Sequence, residues 1–160
     1  MAIIITISSD ATAGLRSRTS LLRLALLRGV GKATIGVQAD VVQNKLHGQV
    51  LNQVTGNLAR NVIAQEPTVS GDVVEGIVGV GSTAWYGKVH EFGTTGSFDI
   101  FPKNKKALRW VSGGKVFFAK HVTHPPFKER SFLRSSLAEC EADGRIRAWI
   151  EGPIREALSL

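Results

Sequence analysis

The stretch Thr68 to Gly81 reads TVSGDVVEGIVGVG. Valines alternate with small or polar residues on both sides of Ser70-Gly71-Asp72, the composition of a tight turn between two antiparallel strands. The second strand is expected over about Val73 to Val80. Its end runs into GVGSTA, Gly79 to Ala84, which resembles the G-x-G-x-x-A phosphate fingerprint. A dinucleotide site, however, needs a βαβ unit whose second strand is parallel to the first. Here a hairpin feeds the strand, and no helical crossover to a parallel strand follows. The stretch therefore predicts an antiparallel α+β fold and a glycine turn, not a cofactor loop.

Upstream, Ala2 to Ile7 is a short β-branched run without a basic leader, so it reads as a strand and not a secretory signal. Apolar or small residues then recur at Leu15, Thr19, Leu22, Leu26, Val30, Ala33, Val37 and Val41, one face of a long helix capped by Ser9 or Asp10. Gly29, Gly31 and Gly36 each cost about 1 kcal/mol relative to alanine, so the helix is expected to be kinked or broken near Gly29–Gly31 and to end by about Gly48. TGNLARNVIAQ reads as a second, short helix. Thr55 or Asn57 would cap it, Leu58, Val62 and Ile63 would face inward, and Pro67 would stop it.

Downstream, Ala84, Tyr86, Val89, His90 and Phe92 space as a two-turn helix that Gly93 ends. Two further strand-like runs in residues 98–122 are joined by a turn at Ser112-Gly113-Gly114. From Glu129 the pattern is helical, with Phe132, Leu133, Leu137 and Cys140 on one side, until Gly144 interrupts. A last helix runs from Arg145 to about Leu158, kinked or restarted at Pro153. The expected architecture is a single domain over residues 1–160. A long N-terminal helix (about 11–47) packs on a mostly antiparallel sheet of about 4–5 strands (about 66–123), with C-terminal helices over about 129–158.

The usual chemical motifs fail one by one. HEFG, from His90, lacks the second histidine that H-E-x-x-H needs to place two nitrogens on one zinc. His121 and His124 stand without a Cys pair or a nearby carboxylate. Cys140, the single cysteine, lies on the apolar side of its helix, where it reads as a small core residue. No G-x-S-x-G elbow occurs, and Glu139, Glu141 and Asp143 read as a solvated face. No catalytic, cofactor-binding or metal-binding residue is assigned. The chain is expected to be no enzyme and to need no cofactor. No stretch approaches the roughly 20 apolar residues of a membrane helix, so no membrane partner is expected.

Charge is the remaining signal. The net charge is +7, and residues 98–134 hold nine Lys/Arg against two acids while the rest is balanced. Such a face suits an acidic protein surface or nucleic acid. Arg109-Trp110, Phe117, Phe118 and Lys120 interleave basic and aromatic side chains as single-strand binders do, and they equally suit a sheet core.

Five segments taken in order carry a family resemblance: TGNLARNV, WYGKVHEFGTTG, IFPKNKKALRW, GGKVFFAKHV and RSFLRSSL. Together, over about residues 54–138, they resemble the tail-completion, or head–tail joining, proteins of tailed bacteriophages. The matching positions include Thr55, Gly56, Leu58, Tyr86, Glu91, Phe92, Gly93, Thr94, Ile100, Pro102 and Lys103. They continue with Lys106, Ala107, Leu108, Arg130, Phe132, Leu133, Arg134 and Leu137. Gly87, Ser131 and Ser135 depart from that pattern. The resemblance implies a structural virion protein, made in the host cytoplasm and placed in the neck at the head-proximal end of the tail. Alternatives in the same neck are a tail terminator or a head-closure protein; outside the class, a basic nucleic-acid-binding domain. Implied partners are head-closure, tail-terminator and tail-tube proteins, with a homo-oligomeric ring, a hexamer by tail symmetry, and only non-specific DNA contact. Glu91, Phe92 and Gly93 then look like a short helix and its glycine cap, with Glu91 paired to an arginine or backbone amide and Phe92 in the core. The loop from Thr94 to Lys105 would be the assembly-facing segment, with Thr94, Thr95, Phe98, Lys103, Lys105 and Lys106 as contact candidates and Phe98 as the anchor.

Overall fold

The computed structural model describes residues 1–8 and 19–159. Within it the opening stretch forms a hairpin. β3 (Thr68–Ser70) pairs antiparallel with β4 (Val73–Val80), Ser70 opposite Val73, which leaves Gly71-Asp72 as the turn. β4 is the centre of a four-stranded sheet. β1 (Ala2–Ser8) lies along one side of it, and β2 (Val62–Ala64) and β3 share the other. Strand alternation sorts the faces. Ile3, Ile5, Val74 and Val78 are buried toward the core, while Ile4, Ile63, Ile77 and Glu75 lie on the outer face.

α1 (Thr19–Asp40) covers the inner face, with Leu22, Val30, Ala33, Val37 and the following Val41 buried as their spacing predicts. Each buried leucine or valine there stabilises the fold by about 1.5–3 kcal/mol. The expected cap at Ser9 or Asp10, the helix start near residue 11 and Leu15 lie outside the described residues. α1 is not broken at Gly29–Gly31, where it runs on as one helix. Gly29 and Gly36 serve close packing instead. A Cβ on Gly29 would lie 2.9 Å from the Cα of Ile150, and one on Gly36 would lie 2.6 Å from the Trp149 ring. Both neighbours belong to α5 (Arg145–Leu158), whereas Val30 and Thr34 meet β4 at Gly76. One helix thus buries two stripes, one on the sheet and one on α5. The distortion falls at Val41–Gln49, a π-helical continuation that turns out at Gly48 (φ 107°).

The expected helix after Thr55 is corrected. Only α2 (Asn57–Arg60) is helical, entered at Gly56 with φ 70°, and the Thr55 hydroxyl accepts the Asn57 N–H at 3.4 Å. Val62 and Ile63 are in β2, where Val62 opposes Val80 and its carbonyl accepts the Gln38 side-chain amide at 2.7 Å. Tertiary pairing outweighs a weak local helix signal, and β-branched residues fit the pleat. Val62 is buried, but Ile63 faces out.

After a 3₁₀ turn at Ser82–Ala84 comes α3 (Gly87–Phe92). The strands beyond it do not extend the main sheet. β5 (Phe98–Ile100) pairs with β8 (Val122–His124), and β6 (Leu108–Ser112) pairs with β7 (Lys115–Ala119). Gly113 and Gly114 both have positive φ, 55° and 76°, the turn geometry that matches strand twist in a two-residue hairpin. α4 (Leu133–Ala142) and α5 close the fold on either side of Gly144, and α5 runs through a buried Pro153 without ending.

Phe132, Leu133 and Cys140 join Val37, Val41, Leu46 and Val78 in the core. Beneath them lies a polar knot. The buried Asp40 accepts from Ser136 Oγ (2.7 Å), Asn44 Nδ2 (2.8 Å) and Arg145 Nη1 (2.8 Å), which ties α1 to α4 and α5. Burial alone pushes the Asp40 carboxyl up, but the hydrogen bonds from Arg145, Ser136 and Asn44 outweigh it and hold it below its ordinary value. Burial, with the Asp40 charge nearby, pushes the Cys140 thiol up, so this cysteine is a poor nucleophile.

Candidate assembly surface

The EFG segment is a clamp. Glu91 is fully buried at the end of α3, and its carboxylate points at the start of α4. It accepts the backbone N–H of Phe132 (2.8 Å), Leu133 (2.9 Å) and Arg134 (3.0 Å), the Ser131 hydroxyl (3.0 Å) and Arg134 Nε (3.1 Å). The first amides of a helix have no partners within it, and a carboxylate there also meets the positive end of the helix dipole. Burial alone pushes the Glu91 carboxyl up. The amides of Leu133, Arg134 and Phe132 and the Ser131 hydroxyl outweigh that and hold it below its ordinary value.

Gly93 completes the clamp. Its φ of 67° with ψ of −164° is open to glycine, and a Cβ there would lie 2.6 Å from the Phe127 carbonyl oxygen. Arg130 binds back to α3, its N–H to the His90 carbonyl (2.8 Å) and its Nη2 to His90 Nδ1 (3.2 Å). Burial first, then the Arg130 charge, pushes His90 down, consistent with a neutral ring that accepts this bond. Phe132 and Leu133 are buried in the core, while Arg134 reaches Glu91 and Glu129.

Phe92 does not sit in the core as its sequence context suggested. It is 49% exposed, and the Arg134 guanidinium lies 4.7 Å from its ring centroid. The helix has two turns, so its buried face goes to Glu91 and Gly87, and the next position points outward. Phe92→Ala is therefore expected to cost no more than about 1 kcal/mol, the worth of an exposed cation–π contact, and thermal or urea melts measure it.

The segment the clamp delivers is folded, not a plain loop. Thr94 is pinned, its N–H to the Phe127 carbonyl (3.0 Å) and its hydroxyl accepting from Phe127 N–H (2.9 Å). Phe98 lies in β5, stacked on His124 (5.3 Å between centroids) and Phe127 (5.8 Å). Its truncation would loosen the β5–β8 pair as well as remove exposed apolar surface. Thr95, Lys103, Lys105 and Lys106 are exposed as the sequence implied. Among the described residues, Lys103, Lys105, Lys106, Arg109, Lys115 and Lys120 form no ion pair.

The largest feature is one the sequence left open between core and surface. The β6–β7 hairpin is exposed on both faces. On one, Trp110 stacks on Phe117 at 5.5 Å; on the other, Arg109 opposes Phe118 and Val111 opposes Val116. Phe118 is 67% exposed and Val111 is 58% exposed. These side chains are not a sheet core. Exposed apolar surface rimmed by charge marks an interaction site.

No family model, curated protein or solved structure matches this chain. Among the described residues, no helix is long and apolar enough to cross a membrane.

Proposed function

We propose that this chain is a structural virion protein of a tailed bacteriophage, acting at the head-proximal end of the tail by protein–protein assembly. Its partners would be neighbouring neck and tail proteins (head closure, tail terminator, tail tube) and further copies of itself in a ring, a hexamer by tail symmetry. The single observation that carries an assembly role is the basic, aromatic β6–β7 hairpin, uncovered on both faces, on a segment that a buried carboxylate clamps to the core. The five ordered sequence segments point to the neck in particular. A protein that works by contact needs such a surface and a rigid mount for it, because binding energy concentrates in a few anchored aromatic and arginine side chains.

The test separates this reading from nucleic-acid binding, which the hairpin's stacked aromatics and unpaired cations also favour. Purified protein added to particles lacking it is expected to attach to tails and restore joined particles in electron micrographs. It is expected to bind duplex or single strands weakly. Micromolar oligonucleotide binding that falls by orders of magnitude between about 50 and 200 mM salt, with no attachment to tails, would assign it to nucleic acid.

A further inference from the structure

Among the described residues, two exposed surfaces complement each other. The first is the β6–β7 hairpin. Two strands alone are marginally stable in water, so exposed apolar side chains on both faces leave this element short of cover. The second is the outer face of the main sheet. There Ile4 opposes Ile77, Ile63 lies one strand over, and Glu75 sits between Thr6 and Thr68. Ile4 is 54% exposed and Ile63 is 47% exposed. Glu66, in the β2–β3 link at the edge of the sheet, is exposed.

We infer that the hairpin of one copy seats on the outer sheet face of a second copy. Phe118 and Val111 lie over Ile4, Ile63 and Ile77, with basic residues of the hairpin toward Glu75 and Glu66. Charge selects this occupant. Residues 98–134 carry nine Lys/Arg against two acids, and the rest of the chain is balanced, so a second copy brings carboxylates to a face that repels another hairpin. Nucleic acid would cover the hairpin and leave the sheet face bare. The two surfaces differ, so each copy gives one and receives one. Such a heterologous contact propagates, and it closes into a ring where the rotation permits. The inference gives the assembly reading its self-contact and rests on that reading only for its setting.

Sedimentation of the full chain from micromolar to millimolar concentration tests it. Wild type is expected to self-associate. Phe118→Asp, which spoils the hairpin, and Ile4→Lys, which spoils the sheet face, are each expected to weaken association at least about tenfold, as loss of a central contact does. Mixed in equal amounts, they are expected to form a one-to-one pair, because each retains the surface the other lacks. Phe118→Ser and Ile63→Ser take their place if a charged variant melts lower than wild type. A wild type that stays monomeric, a folded variant that associates normally, or a mixture that stays monomeric overturns the contact. Loss of oligonucleotide binding in Phe118→Asp alone, with a monomeric wild type, also overturns it and assigns the hairpin to nucleic acid. If wild type is monomeric yet still joins tails, this contact falls while the virion reading stands.

Discussion

Replacing Glu91 with alanine is expected to cost about 3–5 kcal/mol, because it removes a fully buried carboxylate that accepts several hydrogen bonds, while its charged partner Arg134 stays about half exposed. The buried amides of Phe132 and Leu133 lose their acceptor, and so do the partly buried amide and Nε of Arg134. Arg134 cannot substitute, since a guanidinium only donates, and the Ser131 hydroxyl replaces the carboxylate for about one of those amides at most. Glu91→Gln keeps the shape and one acceptor but loses the charge, so it should fall between wild type and alanine. The pH dependence has a definite sign. The folded carboxyl lies below its ordinary value, so the stability it contributes is present above the unfolded glutamate pKa of about 4.3 and is lost as pH falls through the folded value. Asp40 is shifted the same way and adds to that acid limb. Urea midpoints measured from pH 7 to pH 3 should show a shallower loss for Glu91→Gln than for wild type. An unchanged acid limb, or an alanine variant within about 1 kcal/mol of wild type, would show that the clamp does not hold α4 to α3.

The second large effect runs against helix propensity. Gly29→Ala and Gly36→Ala each remove a glycine from a helix interior, worth about 1 kcal/mol of stabilisation on an open helix. Here each is expected to destabilise by about 1–3 kcal/mol, the cost of overpacking after that gain is subtracted. At Gly29 the new Cβ would meet Ile150 Cα at 2.9 Å and its carbonyl oxygen at 3.0 Å, backbone that moves only if α5 moves. At Gly36 it would meet the Trp149 ring at 2.6 Å, so the indole has to shift. Gly31→Ala is the control. Its Cβ position lies 3.5 Å from Pro67 Cγ, an ordinary contact away from α5, and it should be neutral or stabilise by up to about 1 kcal/mol. Thermal melts of the three variants decide the matter. If Gly29→Ala and Gly36→Ala are as stable as the control, α5 does not press on α1 at those glycines.

Local pattern determined a good part of this molecule. Alternating valines around Gly71-Asp72 and the Gly113-Gly114 pair set two hairpins, because strand period and turn chemistry act over a few residues. The stripe from Leu22 to Val41 set the buried face of α1, and the apolar position of Cys140 placed it in the core. The basic character of residues 98–134 is also plain in the sequence. Tertiary structure decided the rest. Val62 and Ile63 became a strand because an open position beside β4 was worth more to them than one more helical turn. The glycines of α1 read as breaks, since a sequence cannot say that Trp149 and Ile150 will press on them from more than a hundred residues away. The Asp40–Ser136–Arg145 knot left no local mark, because its members are far apart in the chain. Phe92 and Phe118 are both aromatic and both resemble core. Which surface an aromatic meets depends on what else folds against it, and here Phe92 stays half-exposed beside the Arg134 guanidinium while Phe118 is 67% exposed.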